Sequence, residues 1–64
     1  MKAVDKVVCT EIFNDIITRK SSEINAYKHL VKYEKRYSVK QHILFKIEEL
    51  TEEIESAKNG LNNL

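Results

Sequence analysis

The stretch ILFKIEELTEEIESAKNGLNNL, residues 43–64, decides the fold that we expect of this chain. Its apolar residues recur at alternating steps of four and three. They are Ile43, Ile47, Leu50, Ile54, Ala57, Leu61 and Leu64. This spacing is a heptad seam, which is typical of a helix that packs along another helix. The seam therefore predicts a long C-terminal helix and requires a second apolar surface to cover it.

Length and composition narrow the fold class. The chain has 64 residues, with one cysteine, one glycine and no proline. A chain this short forms at most one domain, residues 1–64. Its net free energy of folding is close to zero without a disulfide, a metal or a partner chain. The single cysteine excludes an internal disulfide, and the lack of turn-forming residues disfavours β-structure. We therefore expect a single all-α domain.

The N-terminal segment predicts a first helix over about residues 4–19. One stripe at i+4 spacing holds Val4, Val8, Ile12 and Ile16, and it is widened by Val7, Cys9, Phe13 and Ile17. This apolar arc is broader than one packing contact needs, so the sequence predicts that the helix is covered from more than one side.

Polar segments suggest where the helices end. The segment RKSSE, 19–23, predicts a turn at 19–22, since cations suit a helix C-terminus and serine caps the next helix. SVKQ, 38–41, matches a capping box and leaves two alternatives open. One is three helices; the other, which we favour, is an antiparallel hairpin whose second helix spans about 23–58 and is kinked near Ser38. Gly60 predicts a helix end followed by a frayed tail, 59–64.

Several apolar residues point to a partner chain. If Ile43 occupies heptad position d, then Leu44 is at e and Phe45 at f, the outermost position. The first helix likewise has more apolar surface than the seam covers. We therefore expect another chain, an identical copy or a different helical protein, to complete a bundle. The predicted partner-binding residues are Phe13, Ile17, Leu44 and Phe45.

A basic face gives the alternative. It comprises Lys28, Lys32, Lys35 and Arg36, with Tyr27, Tyr33 and Tyr37 interleaved. Basic side chains with aromatic residues between them are typical of nucleic-acid binders, because cations contact phosphates and rings stack on bases. The same face also suits an acidic helix of another chain, such as the run of five acids from Glu48 to Glu55. The sequence leaves both partners open.

Enzymatic chemistry is not expected. Cys9 lies in the most apolar helix, where a free cysteine behaves as a small hydrophobe, and His29 and His42 are too far apart to define a shared site. We predict no catalytic residue, cofactor or metal ligand. No apolar run reaches the ~20 residues of a membrane span, and the lone thiol without a signal peptide suggests the cytoplasm. The expected function is a non-enzymatic protein–protein interaction module: a regulator, inhibitor, adaptor or small chaperone subunit. The alternative is a dimeric nucleic-acid-binding regulator.

Overall fold

Two long helices make up the structure, a computed structural model that describes the backbone of residues 3–64 and the side chains of residues 6–64. Helix α1 spans Ala3–Tyr33 and α2 spans Tyr37–Asn62. They pack against each other as an antiparallel hairpin of 51 × 14 × 11 Å. The predicted all-α hairpin is confirmed. Over the described residues, neither helix carries an apolar stretch long enough to cross a membrane.

The predicted turn at 19–22 is wrong, because α1 continues through it without a break. Lys20 and Ser21 are half-buried along the hairpin, and the Lys20 ammonium forms an ion pair with Glu53 of α2. Serine has only a weak preference against the helix interior, and neither glycine nor proline is present to break the helix. Packing against α2 therefore outweighs the local capping signals.

The seam of α2 packs against a matching stripe that runs along α1 to the first residue of the connection, and we term it the inner stripe. Its members follow the same alternating steps of four and three. They are Phe13, Ile17, Lys20, Ile24, Tyr27, Val31 and Glu34, all buried or half-buried. In α2 the buried positions are Ile43, Leu50, Ile54 and Ala57, all of which belong to the predicted seam. The C-terminal seam is thus covered within the chain.

The core formed by these two stripes is thin. Ile24, Leu50 and Ile54 form its centre, and Ile17 and Ile47 pack beside them. No side chain in the described part of the hairpin is completely removed from solvent. Full burial of an aliphatic side chain contributes about 1.5–3 kcal/mol, so a small two-helix core supplies limited stability.

The connection between the helices lies at residues 34–36 and is organised by one carboxylate. Glu34 Oε1 accepts hydrogen bonds from the backbone N–H groups of Lys35 (3.1 Å) and Arg36 (2.9 Å) and from Arg36 Nε (3.1 Å). Arg36 has extended backbone angles and precedes the first residue of α2. Ser38 therefore lies inside the first turn of α2, and its predicted role as helix cap is wrong. The favoured second helix over about 23–58 with a kink near Ser38 is also wrong, because the chain leaves the helix at residues 34–36.

Gly60 does not end α2, contrary to the prediction, because its backbone is helical and the helix runs on to Asn62. Its lack of a side chain serves packing instead. A Cβ at this position would lie 2.6 Å from Cζ and 2.9 Å from Cε1 of Phe13, closer than non-bonded carbon atoms approach each other. The ring thus occupies the space that any other residue at position 60 would fill. Leu61 is helical and half-buried rather than frayed.

Candidate protein-binding surface

A second heptad stripe runs along α1 beside the inner stripe, and we term it the outer stripe. Each member immediately precedes a residue of the inner stripe or of its extension to Thr10. The members are Cys9, Ile12, Ile16, Arg19, Glu23, Ala26, Leu30 and Tyr33. Because one residue turns an α-helix by 100°, the outer stripe faces about a quarter turn away from α2. A helix with two such stripes has the pattern of a bundle helix that contacts two neighbours.

The apolar members of the outer stripe are largely uncovered. The exposed fraction is 53% for Ile12, 55% for Leu30 and 66% for Tyr33. Ile16 is half-buried, and Val8, one turn before Ile12, is exposed. The broad arc predicted for the first helix is therefore covered by α2 along one edge only. The predicted member Val4 has its side chain outside the described residues.

Two depressions lie on this side of the hairpin. One depression of about 350 Å³ is lined by Ile16, Arg19, Lys20 and Glu23. A second of about 130 Å³ is lined by Glu23, Tyr27, Lys46, Glu49, Leu50 and Glu53. The two share Glu23, so they lie along the same side of the molecule. Charged side chains thus line the middle of this face, and the apolar members of the outer stripe lie on either side along α1.

The four predicted partner-binding residues fall into two pairs. Phe13 and Ile17 belong to the inner stripe, where Phe13 packs on Gly60 and Ile17 on the core, so they are mainly intramolecular. Leu44 and Phe45 are exposed, by 46% and 58%. Phe45 occupies the face of α2 directed away from α1, as its heptad position predicts. Phe13 and Ile17 therefore stabilise the hairpin, while Leu44 and Phe45 are accessible to a partner.

The outer stripe was missed in the sequence because the turn predicted at 19–22 separated Arg19 from Glu23, which was placed in the second helix. Once residues 19–22 are helical, the spacing from Cys9 to Tyr33 is an unbroken alternation of three and four. Four apolar pairs carry the signal for two stripes: Ile12–Phe13, Ile16–Ile17, Ala26–Tyr27 and Leu30–Val31. The first two pairs belong to the broad arc of the first helix, and the last two lie beyond the predicted turn.

The predicted basic face does not form a single helix face. Lys28 and Lys32 lie on α1, whereas Lys35 and Arg36 belong to the connection. Arg36 is moreover paired with Glu34, and this ion pair lowers the pKa of the Glu34 carboxyl and raises that of the Arg36 guanidinium.

A basic surface exists nonetheless at the connecting end of the hairpin. Residues 27–46, which we term the connecting end, carry six lysine and arginine side chains and one carboxylate, Glu34. Tyr33 and Tyr37 are both more than half exposed there. The ring of Tyr33 meets His29 edge to face at 5.1 Å, and the Lys32 ammonium lies 6.0 Å from its centre.

The acidic run of α2 is partly neutralised within the hairpin. Glu53 pairs with Lys20, and Glu49 lies 3.8 Å from the Lys46 ammonium. Among residues 6–64, no three histidine, cysteine or acidic side chains come close enough together to hold a metal ion. Within the run, Glu49 and Glu53 line the second depression, beside Tyr27 and Leu50.

Comparison with known protein families, curated proteins and solved structures finds no match to this chain.

Proposed function

We propose that this protein is a non-catalytic protein–protein interaction module that acts by helix packing, as a regulator, inhibitor, adaptor or small chaperone subunit. Its binding surface is the outer stripe of α1, together with the exposed Leu44 and Phe45 of α2. In this mode, apolar side chains of one helix fit between those of a partner helix, and flanking charges set the register.

One observation carries this proposal: more large apolar side chains are exposed than are buried. Five residues of the described hairpin form its buried core, one of them an alanine. Eight large apolar or aromatic side chains are exposed: Val7, Val8, Ile12, Leu30, Tyr33, Tyr37, Leu44 and Phe45. Three of them, Ile12, Leu30 and Tyr33, belong to the outer stripe, with Ile16 and Ala26 between them. Single exposed hydrophobics need no explanation, but apolar residues at heptad spacing are characteristic of a helix interface.

Photo-crosslinking in the native cell tests the proposal. A photoreactive amino acid at position 12 of the full chain should give a protein adduct of one defined mass, because position 12 lies in the interface. The matched control places it at Asn25, an exposed position on the opposite side of α1. Failure to obtain a protein adduct at position 12, or equal adducts from both positions, would contradict the proposal.

The connecting end supports a second candidate, binding of nucleic acid. Its six basic side chains and exposed tyrosines suit a phosphate backbone and unstacked bases. The acidic run of α2 follows directly in sequence and would repel the same phosphates. We therefore place this function second.

Two variants distinguish the candidates. Replacing Lys28, Lys32, Lys35 and Arg36 by glutamine removes positive charge from the connecting end, whereas Ile12→Ala removes an exposed apolar contact of the outer stripe. For a protein-binding module, Ile12→Ala should weaken the native interaction by about 2 kcal/mol, and the glutamine variant should mainly slow association. A gel shift of nucleic acid that the glutamine variant loses and Ile12→Ala retains would favour the second candidate.

A further inference from the structure

We infer that the partner of the outer stripe is a second copy of this chain, bound antiparallel, so that the α1 helices of two hairpins pack against each other. This inference rests on the proposed function and names the occupant of its surface. Each α1 would then contact α2 of its own chain through the inner stripe and α1 of the other chain through the outer stripe. The order of residues within the outer stripe favours this arrangement.

The outer stripe is arranged symmetrically about Ser21. Positions 12 and 30 are equally distant from Ser21, as are 16 and 26, 19 and 23, and 9 and 33. In a two-fold dimer centred there, each member of such a pair meets its counterpart on the other chain. Ile12 then packs on Leu30 of the second copy, and Ile16 packs on Ala26. Both are apolar contacts, and each occurs twice.

The central charges select the antiparallel direction. Positions 19 and 23 hold Arg19 and Glu23, so antiparallel packing places each arginine beside the glutamate of the other copy. Parallel packing in register would instead place arginine beside arginine and glutamate beside glutamate. Within residues 6–64 of one hairpin, neither side chain takes part in an ion pair. Opposite charges across an interface fix its register, and like charges exclude the wrong one.

The remaining charges agree with this direction. The connecting end carries six basic side chains and a single carboxylate. A parallel dimer would bring two such ends together, whereas an antiparallel dimer separates them to opposite ends of the assembly.

Charge exchange at the two central positions tests the inference. We expect the purified wild-type chain to sediment as a dimer. Arg19→Glu and Glu23→Arg should each dimerise roughly tenfold more weakly or worse, since each turns two attractive contacts into repulsive ones. An equimolar mixture of the two variants should form a mixed dimer, and the double variant should dimerise like wild type. Lys28→Glu, a charge reversal on the opposite side of α1, is the matched control and should leave dimerisation unchanged.

The distance between the two Cys9 residues of the dimer is an independent test of its direction. In the antiparallel dimer the two Cys9 residues are offset along the helix axis by 24 residues, or about 36 Å. Nitroxide labels on Cys9 should therefore give an interspin distance well above 30 Å by pulsed EPR, since two residues packed side by side in a parallel dimer lie within about 10 Å. A short distance would overturn the antiparallel arrangement. Circular dichroism of every variant checks that the hairpin remains helical.

The outcomes separate this inference from the proposed function. A wild-type monomer at high micromolar concentration, single variants that dimerise as well as wild type, or a mixture that fails to recover would each overturn self-association. If the adduct from position 12 nevertheless has a defined mass other than twice 7.5 kDa, the interaction module stands and its partner is another protein. If no adduct forms, both the inference and the proposed function are wrong.

Discussion

The inner and outer stripes of α1 are nearly identical in spacing but differ in their surroundings. Both alternate steps of three and four over the same length of helix, and both carry charge near the middle: Lys20 in one, Arg19 and Glu23 in the other. The inner stripe is covered by α2, and its lysine is paired with Glu53. The outer stripe exposes Ile12 and Leu30 by more than half.

Heptad spacing alone therefore does not identify the packed face of a helix. The inner stripe is the one that α2 covers because it holds the larger and more continuous set of side chains, including Phe13, Ile24 and Tyr27. Gly60 also opens space on α2 for the ring of Phe13. The outer stripe has smaller residues and two charges at its centre. This composition is compatible with the interface that we propose, in which the two charges set the register.

Replacing an isoleucine by aspartate in each stripe should give the largest difference in stability between the two. Ile24→Asp should unfold the hairpin, because it removes about 1.5–3 kcal/mol of burial and places an unpaired charge in a thin core. Ile12→Asp should leave the chain helical and abolish the concentration dependence of its thermal melting, since it affects only association. Circular dichroism at 222 nm, recorded at several protein concentrations, measures both. Equal loss of helix in the two variants would show that the stripes do not differ in role.

The contact between Phe13, at one end of the inner stripe, and Gly60 of α2 should give the next largest change in stability. Gly60→Ala should destabilise the chain, because the new methyl group must displace the ring, although alanine favours the helix by about 1 kcal/mol over glycine. In a Phe13→Ala background the same change should stabilise it. A double-mutant cycle by urea denaturation should thus give a coupling energy of about 1 kcal/mol or more. The expectation fails if Gly60→Ala is stabilising in both backgrounds.

The sequence predicted the hairpin but placed its turn incorrectly, for a physical reason. The seam of α2 was readable because its members are nearly all aliphatic and its spacing has no miss. The inner stripe contains Lys20, which interrupts its apolar pattern in the sequence. Lys20 fits the packed face because it forms an ion pair with Glu53 of α2. The true connection has neither glycine nor proline and depends on hydrogen bonds that one side chain, Glu34, accepts from the backbone. Local propensities do not report contacts of this kind.

The candidate binding surface could be predicted in part. Phe45 was recognised as exposed because its heptad position directs it away from the seam. Phe13 and Ile17 were assigned to a partner, since burial within the chain cannot be distinguished from burial between chains by spacing alone. That distinction required the register of the hairpin, which pairs Phe13 with Gly60 and Lys20 with Glu53.

Replacing Lys20, the charged residue in the middle of the inner stripe, by leucine should stabilise the hairpin. Lys20→Leu fills a half-buried position beside Ile24 with apolar volume and gives up an ion pair that is partly exposed and worth about 0.2–1 kcal/mol. We expect a net stabilisation of up to about 1 kcal/mol, or a rise in Tm of about 4–8 °C per kcal/mol for a chain of this size. Lys28→Leu on the exposed face of α1 is the control and should not raise Tm. A lower Tm for Lys20→Leu would show that the ion pair with Glu53 outweighs burial.

The smallest expected effect concerns Glu34, the last member of the inner stripe. The hydrogen bonds and charge of Arg36, with further backbone N–H bonds from Arg36 and Lys35, lower the pKa of Glu34 below its ordinary value of 4.5. A carboxyl whose pKa is lower in the folded state contributes stability that is present above its unfolded pKa. That stability is lost as the pH falls through the folded pKa. Wild type should therefore lose slightly more stability than Glu34→Gln between pH 5 and pH 3, with the two converging in slope at lower pH. NMR titration of the Glu34 side-chain carbon measures the shift directly, and a midpoint at or above 4.5 would contradict the assigned role of this carboxylate in the connection.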